Sequence, residues 1–374
     1  MPMSIVSGES IVAPLSSDLL YDILQRLDGA TLARAACACA DFSSISKEEA
    51  LWENVCRSLW PSTNREDVRS LISSIGGFRK FYADCFPLIV NKDVPPVRAN
   101  ADLPYPEDWI DDYYYEDFHE SEDLSPSDFV SIVDVKYRDK PVYSKVIWGI
   151  PNSGSFNGWF YNCPFRIDLL THSSGDVSGG DQVFLSISDG LPSIESIERE
   201  RKDGRLWREL QDGVRLSWII VNKRLRQAAN VASWSPLSGQ RHWPTDRDFL
   251  LRFGSILPAK SILPCQVAEC ILVLKFRVND VGNGVPTLKL RELSMQLEDV
   301  RGAHVNGWNS LLVLKEALSC QRSKNHSEVL ASCHLYLKAQ TELREEMMRN
   351  ETWFDRLCIF TSIAAFATIC YSVL

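Results

Sequence analysis

The sequence predicts an α+β multidomain chain: an N-terminal three-helix module with a helical extension, then an antiparallel β-sandwich or barrel-like domain, then C-terminal helices. Three observations carry this reading. Apolar residues recur at helical spacing through residues 14–90. From Phe129 to Leu297 the period changes to two, turn residues recur and no long helical pattern intervenes. From Val305 the helical spacing returns. A chain of 374 residues, 45% hydrophobic and carrying 11 tryptophans, has room for two or more domains with real cores.

Residues 1–13 show neither a basic region nor a sustained apolar run, so no secretory signal is expected and the stretch reads as disordered. In residues 14–61, Leu19, Leu20, Ile23, Leu24 and Leu27 fall on one helical stripe. Ser16 or Ser17 can cap that helix and Gly29 can stop it. Thr31 is the expected cap of a second helix running through Leu32, Ala35, Ala36 and Cys39. Ser46 and Glu49 have capping-box spacing before Leu51, Trp52, Val55 and Leu59. A unit of under about 50 residues rarely buries enough surface to stand alone. This one has no disulfide or zinc spacing, so its apolar surface implies a partner.

These residues resemble an F-box, the helical module that docks a substrate receptor onto the Skp-type adaptor of a cullin–RING ubiquitin ligase. Leu15, Asp18, Leu19-Leu20, Ile23-Leu24, Leu27, Leu32, Ala38-Cys39, Phe42, Ile45 and Leu51-Trp52 match the family pattern in order and without gaps. Ser16 stands where Pro is usual, Ala38 for Val and Phe42 for Trp, which trims contact area. The resemblance implies an adaptor-facing set of Leu15, Leu19, Leu20, Ile23, Leu24, Leu27, Leu32, Phe42 and Trp52. It also implies a Skp-type adaptor and a cullin as partners.

A helical extension is expected over 62–90, with Asn64 as a cap, Val68, Leu71, Ile72 and Ile75 inward, and Gly76-Gly77 as the stop. Residues 91–125 read as an acidic, Tyr-rich linker: ten Asp or Glu and no Lys or Arg lie between Asp102 and Asp123. The β domain is expected over 126–303. A hairpin at Arg138-Asp-Lys-Pro141 opens it, and further strands are expected at Phe165–Leu170, Val183–Ser188, Val214–Val221, Ala228–Trp234, Phe249–Ile256, Ala268–Val278 and Leu288–Leu297. Asn222-Lys223-Arg224 and Gly282-Asn283-Gly284 read as turns, and Ile194–Arg208 as a charged surface excursion. Helices follow over 304–356, the longer one with Leu330, Leu337, Leu343 and Met347 as its apolar edge. Residues 357–374 form an uncharged apolar tail that just reaches membrane-spanning length. The tail is either a bilayer anchor or a closing helix packed on the sheet.

Composition narrows the function. The net charge of −9 becomes +1 once the ten linker carboxylates are set aside, so no basic face for nucleic acid is expected. Eleven scattered cysteines without a C-x-x-C pair suggest free thiols in a reducing compartment, cytoplasmic or nuclear, rather than disulfides or zinc. No phosphate-binding loop, nucleotide fingerprint, nucleophile elbow or zinc-protease motif occurs. Catalytic residues, metal ligands and cofactors are therefore expected to be none.

Over most of its length the chain resembles a group of plant F-box proteins. This implies a non-catalytic substrate-recognition subunit of a Skp-cullin-F-box ubiquitin ligase, with an unknown protein target on the β domain. Trp234, Arg241, His242 and Trp243 are the candidate target-binding residues, aromatics for area and Arg for directed hydrogen bonds; the tryptophans fit a core equally well. Two other classes stay open: a membrane-tethered interaction scaffold, and a β domain that binds a small ligand or glycan.

Overall fold

The computed structural model describes residues 16–93, 124–151, 159–170, 190–192, 204–242, 247–279 and 286–373. The chain divides into two compact units, Met1–Ala83 and Asp84–Leu374. Residues 1–13, the acidic Tyr-rich stretch, the strand expected at Val183–Ser188 and the turn at Gly282–Gly284 lie outside the described residues.

The first unit is helical. In α1 (Ser17–Leu24) the Ser16 hydroxyl accepts the Leu19 N–H at 3.4 Å, and Asp18 sits in the first turn. The cap of α2 (Gly29–Ala35) is Asp28 rather than the expected Thr31. Its carboxylate accepts the Thr31 N–H at 3.0 Å and the Thr31 hydroxyl at 2.7 Å, which holds it below the usual carboxylate range. The helix expected to continue through Cys39 ends at Ala35. Cys39 turns extended, its sulfur accepts the Phe42 N–H, and an additional short helix α3 (Ala40–Ile45) begins.

The capping box expected at Ser46 and Glu49 does not form before α4 (Glu49–Leu59). The Ser46 hydroxyl donates to the Ser43 carbonyl, and the Glu49 carboxylate accepts the Phe78 N–H at 2.7 Å. That carboxylate thereby closes the N-terminus of α6 (Gly77–Cys85), where peptide dipoles favour negative charge. Between them, α5 (Glu66–Ile75) buries Val68, Leu71, Ile72 and Ile75 as expected. Asn64 lies in a short 3₁₀ turn (Pro61–Asn64) and donates to the Pro61 carbonyl instead of capping α5.

The interior of this unit is aromatic. Trp52 meets Tyr82 at 5.2 Å and Trp60 meets Phe81 edge-on at 5.4 Å, while Leu24, Leu32 and Leu51 are fully buried. Gly29 permits this packing, because a Cβ there would lie 2.4 Å from the Tyr82 ring.

The second unit opens with β1 (Leu88–Ile89), which pairs antiparallel with β11 (Arg322–Ser323). One sheet has the order β3-β2-β5-β6, from β2 (Phe129–Tyr137), β3 (Lys140–Trp148), β5 (Val214–Asn222) and β6 (Gln227–Asn230). The other has the order β4-β10-β9-β8-β7, from β4 (Arg166–Asp168), β7 (Ser238–His242), β8 (Asp248–Pro258), β9 (Val267–Asn279) and β10 (Thr287–Glu298). All pairings within them are antiparallel.

Val135 and Trp218 of the first sheet share one buried cluster with Phe253, Leu272 and Leu293 of the second, so the two sheets enclose a common core. Arg138 and Asp139 turn the first hairpin with positive φ at both residues, the geometry that suits twisted strands. In β8, Gly254 adopts φ +154°, and a Cβ there would lie 1.9 Å from the Cys270 carbonyl oxygen. Its N–H donates to Ser233 Oγ, and Ser255 Oγ donates to the Val231 carbonyl, tying β8 to the segment that leaves β6.

Short elements escape the two-residue period. Strand β7 reads Ser-Gly-Gln-Arg-His and has no apolar alternation. α7 (Trp159–Asn162) is a single turn. The expected surface excursion ends earlier than predicted: α8 (Arg205–Gly213) begins inside it and buries Leu206 and Leu210. α9 (Gly307–Ala317) is capped by Asn306 and buries Leu311 and Leu314.

Then α10 (His326–Val373) runs unbroken through the expected boundary at residue 357. Its buried stripe is Val329, Cys333, Tyr336, Ala339 and Leu343. Leu337 and Met347, expected on the apolar edge, face outward, and Leu330 is half-buried. The tail does not pack back on the sheet: every described side chain from Met347 to Ile369 is exposed.

One buried charge braces β8 against β9. Asp248 accepts two hydrogen bonds from Arg277, at 2.6 and 2.8 Å, and lies 3.2 Å from Lys275. The Arg277 hydrogen bonds hold its carboxyl below the ordinary value. A depressed carboxyl stabilises the fold above its unfolded pKa of about 3.9, and that contribution vanishes as pH falls through the folded value. Asp248→Asn should therefore cost about 2 kcal/mol at pH 7, and its melting difference from wild type should shrink below about pH 4. A difference that stays constant with pH in calorimetric scans would refute this role. Gly254→Ala should cost on the order of 3 kcal/mol, because backbone rather than a flexible side chain blocks the new methyl; an unchanged melting temperature would refute the close approach.

Candidate functional site

The described N-terminal residues divide the adaptor-facing set in two. Leu20, Leu24, Leu32 and Trp52 are buried inside their own unit. They shape it and are covered by it; Trp52 also donates its indole N–H to the Ser46 carbonyl at 2.7 Å. Leu19 and Ile23 are the reverse, 46% and 42% exposed one helical turn apart on α1. Leu27 and Phe42 are half-buried. α3 packs on α1, so Phe42 and the half-buried Ile45 flank the α1 stripe. Ile45 fits the family pattern yet stood outside the expected set; its place on a helix the sequence reading did not separate is what hid it. Leu15 lies outside the described residues.

The result is an apolar face on a small, otherwise packed helical unit. Its chemistry is that of contact: aliphatic and aromatic area, with Asp18, Asp22 and Arg26 exposed around it. The nearby thiols of Cys37 and Cys39 are exposed, whereas Cys56 is buried and its pKa is raised by desolvation.

Of the four candidate target-binding residues, Trp234 and Arg241 have described side chains, and both are half-buried. Trp234 is half-buried, packs on Leu88, Val90 and Val329, and meets the Phe86 ring at 4.9 Å. Arg241 in β7 is half-buried with its guanidinium close against Gly204. The side chain of His242, and Trp243 altogether, lie outside the described residues. Trp148 at the end of β3 and Leu225 in the β5–β6 turn are exposed apolar side chains of this unit that sequence reasoning passed over. An outward position at a strand end has no signal in a two-residue period. Among the described residues, no group of three or more His, Cys, Asp or Glu could hold a metal ion.

Comparison with known proteins bears on the first unit most directly. Residues 17–58 match the F-box-like family profile. Over the whole chain, F-box protein At2g27310 of Arabidopsis thaliana is 27% identical across 98% of this chain and 97% of its own length. Probable F-box protein At2g36090 of the same plant is 26% identical across 96% and 92%. A shorter likeness joins F-box protein GID2 of Oryza sativa subsp. japonica, 34% identical over 24% of this chain and 49% of that protein. No solved structure matches the chain. Helices α1 to α4 are thus an F-box-like domain, on a chain related to plant F-box proteins over most of its length.

Proposed function

We propose that the chain is the substrate-recognition subunit of a Skp-cullin-F-box ubiquitin ligase. The α1–α3 face docks on a Skp-type adaptor, a cullin joins through that adaptor, and the β-sandwich unit holds a protein target. The observation that carries the reading is the exposure of Leu19 and Ile23 on a helix whose other two aliphatic side chains, Leu20 and Leu24, are packed away. Aliphatic residues held in water by a rigid helix bind a complementary groove with little ordering cost. The chain does no bond chemistry in this account. It raises the effective concentration of target lysines near a partner enzyme's ubiquitin thioester. On the target side, Trp148 and Leu225 join Arg241 as candidate contacts, while Trp234 serves the core of its own unit.

The placement of these leucines decides which variants are informative. Leu24 is buried, so a charge there unfolds the helices and says nothing about docking. Leu19→Asp plus Ile23→Asp alters only exposed positions. At about 2 kcal/mol for one docking anchor, the pair should weaken adaptor binding by at least roughly 30-fold. Helix content should be unchanged by circular dichroism. Wild-type affinity of this double variant for purified adaptor would refute the docking face.

A further inference from the structure

We propose that the second half of α10 is a membrane-spanning helix that tethers the chain to a lipid bilayer. Two different patterns share one continuous axis. From Val329 to Leu343 the buried residues fall at spacings of three and four, the stripe of a helix docked on protein, and the Tyr336 hydroxyl donates to the Asp299 carbonyl at 2.8 Å. Past Leu343 the stripe ends. Charged residues crowd the next turns (Arg344, Glu345, Glu346, Arg349, Glu351, Asp355 and Arg356), and no charge follows through residue 374.

Beyond Arg356 the apolar side chains occupy the whole circumference. Successive residues are about 100° apart around a helix, so taking Leu357 as 0°, Ile369 falls at about 120°, Phe366 and Ile359 at about 180–200° and Phe360 at about 300°, which puts apolar side chains on every side. All are exposed, Phe360 and Phe366 at 70%. Three of its hydroxyls are satisfied by the helix itself. Thr361 and Ser362 donate to the Cys358 carbonyl at 3.0 and 2.7 Å, and Thr368 donates to the Ala365 carbonyl at 2.7 Å. In hydrocarbon, where water cannot satisfy a donor, that arrangement is the one required.

Dimensions agree. The helix is long and apolar enough to cross a membrane, and none of its apolar window is buried. Trp353 and Tyr371 bracket the apolar stretch, about 27 Å apart along the axis at 1.5 Å per residue. A bilayer's hydrocarbon core is about 30 Å thick, and aromatic residues of this kind collect at its two interfaces. A second copy of the helix is a poorer occupant. Pairing of two helices needs one apolar seam and leaves the remaining faces in water; here those faces are apolar as well. The charged turns before Leu357 mark where the helix leaves the bilayer.

The test is cell-free synthesis of the full chain with sealed phosphatidylcholine vesicles, followed by alkaline carbonate extraction. Most of the wild-type chain should stay with the vesicles, and proteinase K should leave a protected fragment containing residues 357–373. Ile363→Arg plus Phe366→Arg should lower the retained fraction at least tenfold, since arginine at the centre of a span strongly opposes insertion. Those positions are exposed, so the fold itself is not at stake. A wild-type chain that extracts into the supernatant, as a monomer or as a self-associated species, overturns the proposal. So does equal retention of the arginine variant, or the absence of a protected fragment.

Discussion

Eight residues of α1 carry four large aliphatic side chains, and the small helical unit has interior for two of them. Leu20 and Leu24 turn inward, while Leu19 and Ile23 remain in water. Everything proposed for the first unit follows from that imbalance. The core that claims Leu24 is finished by aromatic rings from α4 and α6, which are drawn close by the missing side chain at Gly29. Glu49 then fixes the entry to α6 by accepting the Phe78 N–H. A rigid unit of this kind cannot collapse further to hide its outer stripe. In the proposed role, burial of that stripe comes from the adaptor.

The second unit answers a different requirement. The receptor role proposed for it would need a platform whose shape persists when loops vary, and two antiparallel sheets closed on one core have that property. The bracing is local and specific. Asp248 is clamped by Arg277 and Lys275 across two strands, and the hydrogen bonds around Gly254 tie one sheet to the chain leaving the other. Tyr336 carries the same logic into α10 by anchoring its first half to the Asp299 carbonyl. Beyond Arg356 the helix has no charged side chain to turn toward water. A bilayer is the solvent proposed above for that surface.

Much of this was legible in the residues. Long strands announced themselves through β-branched alternation, and the strands expected at Val214–Val221, Phe249–Ile256, Ala268–Val278 and Leu288–Leu297 differ from the observed ones by no more than two residues at either end. The α5 stripe was equally plain. What failed was local competition between caps. Asp28 outbid Thr31 because an ionised carboxylate accepts both the N–H and the hydroxyl of that same threonine. Cys39 divided an apparent helix because its sulfur could serve as a cap. The docking face was half legible: helical spacing put Leu19, Leu20, Ile23, Leu24 and Leu27 on one broad stripe. Only the packed partner helices decide which of them face in. Trp234 went the same way, since a tryptophan's neighbours cannot be read from its own position.

The most direct test of the account is hydrogen–deuterium exchange of the full chain with and without a purified Skp-type adaptor. The account predicts slowed amide exchange at residues 17–27 and 40–46 when the adaptor is added, with the strands of the β unit unchanged. Exchange that stays the same over those helices, or protection confined to residues 204–303, would contradict it.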